Sequence, residues 1–451
     1  MYGAPLANPV NSAPLARQHL KTCALCWKPP FSPFAAAILP MPANRLETRC
    51  AICQPAAPLA HASLAAVLLA EGDFIAAAGA GRTAVSLDAA PGEPYLSLGN
   101  ALIGQGQYSA AVEPLCAASE RLPGNATIHN SLGVALLESG QLTAAETSLR
   151  RTVELMPTLI EGHSNLGHLL NLLHLPEDAA AHAWRAVELD ANFAAGWNNL
   201  ASAFLALDQP EEALTAAKRT IELSGESVEA ENTLGSALAA LARDGEARAA
   251  FERAAPDNAE VHFNHALSLL TAGEYSTGFS EYEWRLKLGG NAISHFPTSM
   301  WDGAPLDGAT ILLRAEQGFG DCLQFIRFAP PWWPSVAVTL LSACQEPLRR
   351  LLAGVAGVSE TVSLDSPVPE FAQHAALASL PHILNMNPDT MAPPSAYVPQ
   401  SENPWQLGAP AGARLKIGFA WSGNPTNKIN RRRSCPIEHL APLLARRDIA
   451  C

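Results

Sequence analysis

The chain has 451 residues, 48% hydrophobic and 16% charged, with a formal net charge of −13. That length suffices for two or three domains with sizeable cores, and the acidic balance argues against nucleic-acid binding, which rests on Lys and Arg neutralising phosphates. No apolar run approaches the roughly 18 residues of a membrane span; Pro33, Pro40 and Pro42 cut the one early apolar stretch, so no secretory signal is read and a cytoplasmic location is expected.

Residues 1–57 form a leader. Through residue 58 there are ten prolines, and five Lys or Arg stand against the single Glu47. No helical or strand period survives those prolines, so disorder is expected. Cys23, Cys26, Cys50 and Cys53 make two CxxC pairs, which could give a tetrahedral zinc site four thiolates. The 23 residues between the pairs exceed the usual spacing, and no Gly shapes a thiolate knuckle. The competing reading is a leader without metal. Cys116, Cys322, Cys344, Cys435 and Cys451 read as reduced thiols in apolar contexts.

Residues 58–288 are periodic. Gly99, Gly133, Gly167, Ala201 and Gly235 stand 34 residues apart, each followed after twelve residues by Ala111, Ala145, Ala179, Ala213 or Ala247. Seven residues further on come Ala118, Thr152, Ala186, Thr220 and Ala254. Small residues at fixed steps where two helices cross are the tetratricopeptide pattern. A weaker unit with Ala65 and Ala77 precedes these five, and another with Ala266 and Gly278 follows, so seven repeats are expected. Such units stack into an α-solenoid with a concave face. Ser97, Ser131, Asn165, Asn199, Thr233 and Asn264 hold the position expected to face that groove. Amides there can bond an extended peptide backbone, or they cap turns or are merely solvated. By physics alone the array binds a protein or peptide.

In residues 289–451 strand-like runs alternate with helical ones: 310–315, 336–342, 358–364 and 416–421, with helices at 321–329 and 347–352. This predicts an α/β part with a parallel sheet, divided by Pro-rich 387–410 into a unit at 289–410 and the start of another at 411–451. Gly318 and Gly320 form a turn between the first strand and an amphipathic helix. Asp321 follows, either as an N-cap or as a residue at the carboxyl end of a strand, where open α/β sheets bind ligands.

The runs YEWR (282–285), WDGxPLxG (301–308), ILLRAEQGFGDxxQFxR (311–327), SLP (379–381) and GFAWSGNP (418–425) followed by Arg433-Ser434 resemble bacterial tetratricopeptide-repeat proteins with a C-terminal glycosyltransferase domain. That domain is Rossmann-like, of the GT-B type, similar to the O-GlcNAc transferase and heptosyltransferase groups. The resemblance covers residues 58–451. It implies transfer of a sugar from a nucleotide-diphospho-sugar to a protein or cell-surface acceptor, with no metal or other cofactor. Asp321 matches the base that deprotonates the acceptor hydroxyl. Gly318, Gly320, Gly423, Asn424, Lys428, Arg433 and Ser434 would face the donor phosphates, Lys428 and Arg433 by charge pairing. The loop 422–434 otherwise reads as solvated and basic, and Asn427 and Asn430 replace the family's usual His and acidic residue. A complete GT-B donor domain is expected to need roughly a hundred residues beyond Cys451. The alternative is a non-catalytic binding scaffold with a vestigial transferase half.

Overall fold

The computed structural model describes residues 58–88, 90–254, 257–288, 298–329, 339–387, 397–398, 415–416, 435–446 and 449–450. It divides into two compact units, Met1–Gly225 and Glu226–Cys451.

The first unit holds five helix pairs: α1 (Pro58–Ala70) with α2 (Phe74–Leu87), α3 (Glu93–Gly104) with α4 (Tyr108–Arg121), α5 (Ala126–Glu138) with α6 (Leu142–Leu155), α7 (Ile160–Leu172) with α8 (Pro176–Leu189), and α9 (Ala194–Ala206) with α10 (Pro210–Ser224). The small residues of the 34-residue period sit where helices touch. Ala65, Ala77, Ala111, Ala145, Ala179 and Ala213 are fully buried. A methyl added to Gly133 would lie 2.5 Å from Leu149, and one added to Gly167 3.2 Å from the backbone of Ala183. Leu115, Leu132, Leu149, Leu166, Leu169 and Leu170 fill one core that runs across successive pairs.

Each pair turns at the same place. Gly72, Gly106, Gly140, His174 and Asp208 take positive φ there. The next amide closes a six-to-one bond, as in Gln107 N–H to Leu102 O (2.9 Å) and Leu175 N–H to Leu170 O (2.9 Å). This is the Schellman helix stop.

The second unit begins with two further pairs, α11 (Val228–Ala240) with α12 (Asp244–Ala254) and α13 (Ala259–Thr271) with α14 (Tyr275–Tyr282). Ala242 and Gly273 hold the left-handed turn positions. A 3-10 turn, Glu283–Lys287, follows. Then come β1 (Thr310–Arg314), α15 (Phe319–Ile326), β2 (Thr339–Cys344), α16 (Arg349–Leu352), β3 (Glu360–Ser363), β4 (Gln373–Ala376) and α17 (Leu380–Ile383). The four strands are all parallel, in the order β3-β2-β1-β4. Ile311 and Leu313 of β1 face a core with Cys322, Phe325, Ile326 and Trp301, which also takes in Phe279 and Tyr282 of the last pair. Leu312 faces the other side, with Leu341, Ala343 and Val362. A strand buried on both faces has to be apolar throughout, which is why TILLR does not alternate. Near the chain end β5 (Leu415–Lys416) pairs in parallel with β6 (Ile449–Ala450), around α18 (Ala441–Leu444).

Three expectations change in detail. The helix expected from Asp321 starts at Phe319, because Gly318 is its N-cap; Asp321 is the third helical residue rather than the cap itself. The helix expected at 347–352 is a 3-10 turn, Glu346–Leu348, running into α16. β4, sequence QHAA, was not expected, since it lacks the β-branched and aromatic residues that mark strands.

Candidate functional site

The strand order reverses between β1 and β4: β2 and β3 lie to one side of β1 and β4 to the other. In open parallel sheets this reversal opens a crevice at the carboxyl ends of the two strands. Here the loops that leave those ends are Ala315–Gly318 and Leu377–Ser379.

A buried polar network joins these two loops through Glu316 and Ser379. Arg285, only 3% exposed, donates Nη1 to Glu283 Oε1 (2.6 Å) and to the Tyr282 carbonyl (3.0 Å). Its Nη2 reaches Glu316 Oε1 (2.9 Å) and Ser379 Oγ (2.8 Å), and Nε also reaches Glu316 (3.2 Å). Ser379, fully buried, donates to Glu283 Oε2 (2.8 Å). Burial opposes the charge on Arg285, yet Glu283 and Glu316 outweigh it and hold the guanidinium above its ordinary value. Burial pushes the Glu316 carboxyl up, with Arg285 pulling the other way. The two directions conflict over which form of Glu316 prevails. Its two guanidinium bonds favour the ionised pair. Beside the network, Gln317 Nε2 donates to Tyr282 Oη (2.7 Å), and Gln345 Nε2 to the Gln317 carbonyl (2.6 Å).

Asp321 is half-buried, in a notch lined by Glu316, Gln317, Cys322, Phe325 and Ala378. Its Oδ2 accepts the Gly318 N–H (3.1 Å), half of a capping box. Phe319 beside it is 49% exposed. The Cys322 and Cys344 thiols, below, are pushed up by burial to about 12 and about 11, which disfavours their thiolate forms.

The other expected site residues fall in two groups. Gly423, Asn424, Lys428, Arg433 and Ser434, and the cysteines Cys23, Cys26, Cys50 and Cys53, lie outside the described residues. Asn165, Asn199 and Asn264 are described, and each reaches back to the preceding repeat. Asn165 Nδ2 donates to Asn130 Oδ1 (2.9 Å), Asn199 Nδ2 to Ser164 O and Oγ (3.0 Å each), and Asn264 Nδ2 to Asn232 Oδ1 (3.1 Å). These amides form inter-repeat rungs, a role absent from the sequence reading. Also missed was the meeting of Arg285, Glu283, Glu316 and Ser379. All four lie in the runs YEWR, AEQGFGD and SLP, but a sequence gives no sign of mutual contact across 94 positions.

Among the described residues no group of three His, Cys, Asp or Glu is arranged to hold a metal ion, and no helix is long and apolar enough to cross a membrane.

Paired helices at a 34-residue period, followed by a small parallel sheet, define a helical-repeat protein. The repeats are tetratricopeptide repeats: the family model described as "Tetratricopeptide repeat" matches residues 96–158 and 198–262. No curated protein matches the sequence. Among solved structures the chain is similar to YrrB, described as a TPR protein with an unusual peptide-binding site, at 20% identity over 42% of this chain and 96% of that one, TM-score 0.35. It is similar also to TTC0263, a thermophilic TPR protein of Thermus thermophilus (20% identity, 40% and 99% covered, TM-score 0.35). A tetratricopeptide repeat protein of Parabacteroides merdae ATCC 43184 is similar at 14% identity, with 52% and 95% covered and a TM-score of 0.43.

Proposed function

We propose that the repeats hold a polypeptide and that the parallel sheet is the acceptor half, Rossmann-like in type, of a nucleotide-sugar transferase of the GT-B kind. One observation carries the reading: Asp321 stands at the carboxyl end of β1, beside the reversal in strand order, on the first turn of an amphipathic helix. In this reading Asp321 takes the acceptor hydroxyl proton while Gly318 and Gly320 keep the loop low enough for a sugar to approach. Lys428 and Arg433 stabilise the leaving diphosphate, which needs no metal where cationic side chains do that work. A cytoplasmic setting, where nucleotide sugars are made, fits the same reading.

The competing reading is a scaffold that binds polypeptide and transfers nothing. It is favoured by the bond between Asp321 and Gly318, which gives the carboxylate a purely structural use. Incubation with radiolabelled UDP-sugars and a cell lysate separates the two. Label passing to a protein, and lost in Asp321→Ala, supports the transferase. Absence of nucleotide-sugar binding at millimolar concentration supports the scaffold.

A further inference from the structure

In three successive pairs, α5–α6, α7–α8 and α9–α10, the first helix carries at one repeat position a ring that donates to a carbonyl six residues earlier. His129 Nε2 lies 3.0 Å from Pro123 O, His163 Nε2 3.0 Å from Pro157 O, and Trp197 Nε1 2.9 Å from Ala191 O. The acceptors lie in the loops that join one pair to the next, so the ring latches the α4–α5, α6–α7 and α8–α9 junctions. A carbonyl only accepts, so His163 carries its proton on Nε2 and leaves Nδ1 as a lone pair.

Among the described residues only the α7–α8 pair sets a second titratable ring against such a latch. His163 Nδ1 is 3.0 Å from His182 Nδ1, with the rings stacked at 5.3 Å between centroids. The positions equivalent to His182 in the neighbouring repeats are Ser148 and Ala216, which cannot titrate. His182 must donate its Nδ1–H to the His163 lone pair. A first added proton goes to His182 Nε2 and leaves that bond intact. A second has only His163 Nδ1 to occupy, and two N–H groups would then point at each other.

We propose that His163 and His182 form a proton-operated joint, which keeps the α6–α7 junction latched while the pair carries at most one added proton and releases it when a second arrives. The charged groups facing the pair are Arg150 from α6 and Arg185 and Asp178 from α8. Burial lowers His163, with Arg185 adding to that and the Pro157 bond opposing it. Burial also lowers His182, with His163 and Arg150 adding and Asp178 opposing. Burial thus disfavours the charged form of both imidazoles. A lowered histidine contributes stability that is complete above its unfolded value of about 6.5 and is lost as pH falls through the folded one. Interacting rings titrate as a pair, in separated steps.

The test is an NMR titration of the histidines of the full chain from pH 8 to pH 5, with amide exchange followed over residues 157–163. Two separated steps below about 6.5, with His163 moving upward in His182→Ser, are expected. Opening of the 157–163 segment should steepen towards about tenfold per pH unit for each proton taken up, with one proton fewer taken up in His182→Ser than in the wild type. His163→Trp, which copies Trp197, should likewise lose the second proton step. Independent titration of the two rings in one step near about 6.5, or unchanged exchange in His182→Ser, overturns the proposal. Should either variant fail to fold, the wild-type titration alone decides.

Discussion

At the scale of single residues, Asp321 and Arg285 answer different questions. The Asp321 carboxylate accepts the N–H of the N-cap Gly318 at the start of α15, so Asp321→Asn should cost only about 1 kcal/mol of stability, read as a small fall in urea midpoint. If the carboxylate is also the base, transfer per folded molecule should fall by about 10²-fold or more. A fall in transfer that merely tracks the loss of folded protein would leave the bond to Gly318 as its whole role. Arg285 is buried against carboxylates, and the Glu316 side chain is only 4% exposed. Arg285→Met strands those charges, and about 3–5 kcal/mol should be lost by urea denaturation. Arg285→Lys should not rescue it, because one ammonium cannot span Glu283, Glu316 and Ser379 as the planar guanidinium does.

At the scale of elements, the repeat turns carry their own internal comparison. The left-handed position falls on Gly72, Gly106, Gly140 and Gly273 but also on Ala242, at φ 55°. A methyl-bearing residue pays about 1–2 kcal/mol for that backbone, part of which glycine gives back as unfolded-chain entropy. Ala242→Gly should therefore stabilise the second unit by about 0.5–1 kcal/mol, seen as a raised urea midpoint. The rungs predict the opposite sign: Asn199→Ala removes both bonds to Ser164 and should cost about 1–2 kcal/mol. The turns and helix contacts were legible because they depend on residue size at a fixed period, and Gly133 or Ala145 can be read for size alone. The rungs were not, because a period locates Asn165 on a helix without saying whether its amide points to a neighbour or to a ligand. β1 was legible from TILLR, whereas QHAA takes its strand conformation from pairing with β1, a contact some sixty residues away in sequence. The position of Asp321 could be read from the glycine turn. The Arg285 network around it could not, since it joins three distant segments.

At the scale of the whole molecule, charge and burial make opposed forecasts for pH. With a sequence pI near 5.5, self-repulsion alone would place greatest stability at mildly acidic pH, where net charge vanishes. Burial lowers His163, His168, His182, His265 and His374, and each is better tolerated neutral in the fold than charged. Unfolding at pH 5.5 therefore takes up protons, and stability is lost as pH drops below about 6.5. Glu138 and Glu316, raised by burial, act in the other sense: the fold gains as pH falls through their raised values. Among the described residues two such carboxyls oppose five such imidazoles, so the imidazoles outnumber them. The thermal midpoint should accordingly be higher at pH 7.5 than at pH 5.5, although the net charge is larger there. Dilute protein is needed near the pI, where loss of net charge promotes association. A midpoint that instead peaks at pH 5.5 would mean that these histidines meet water in the folded chain, and that long-range repulsion governs its stability.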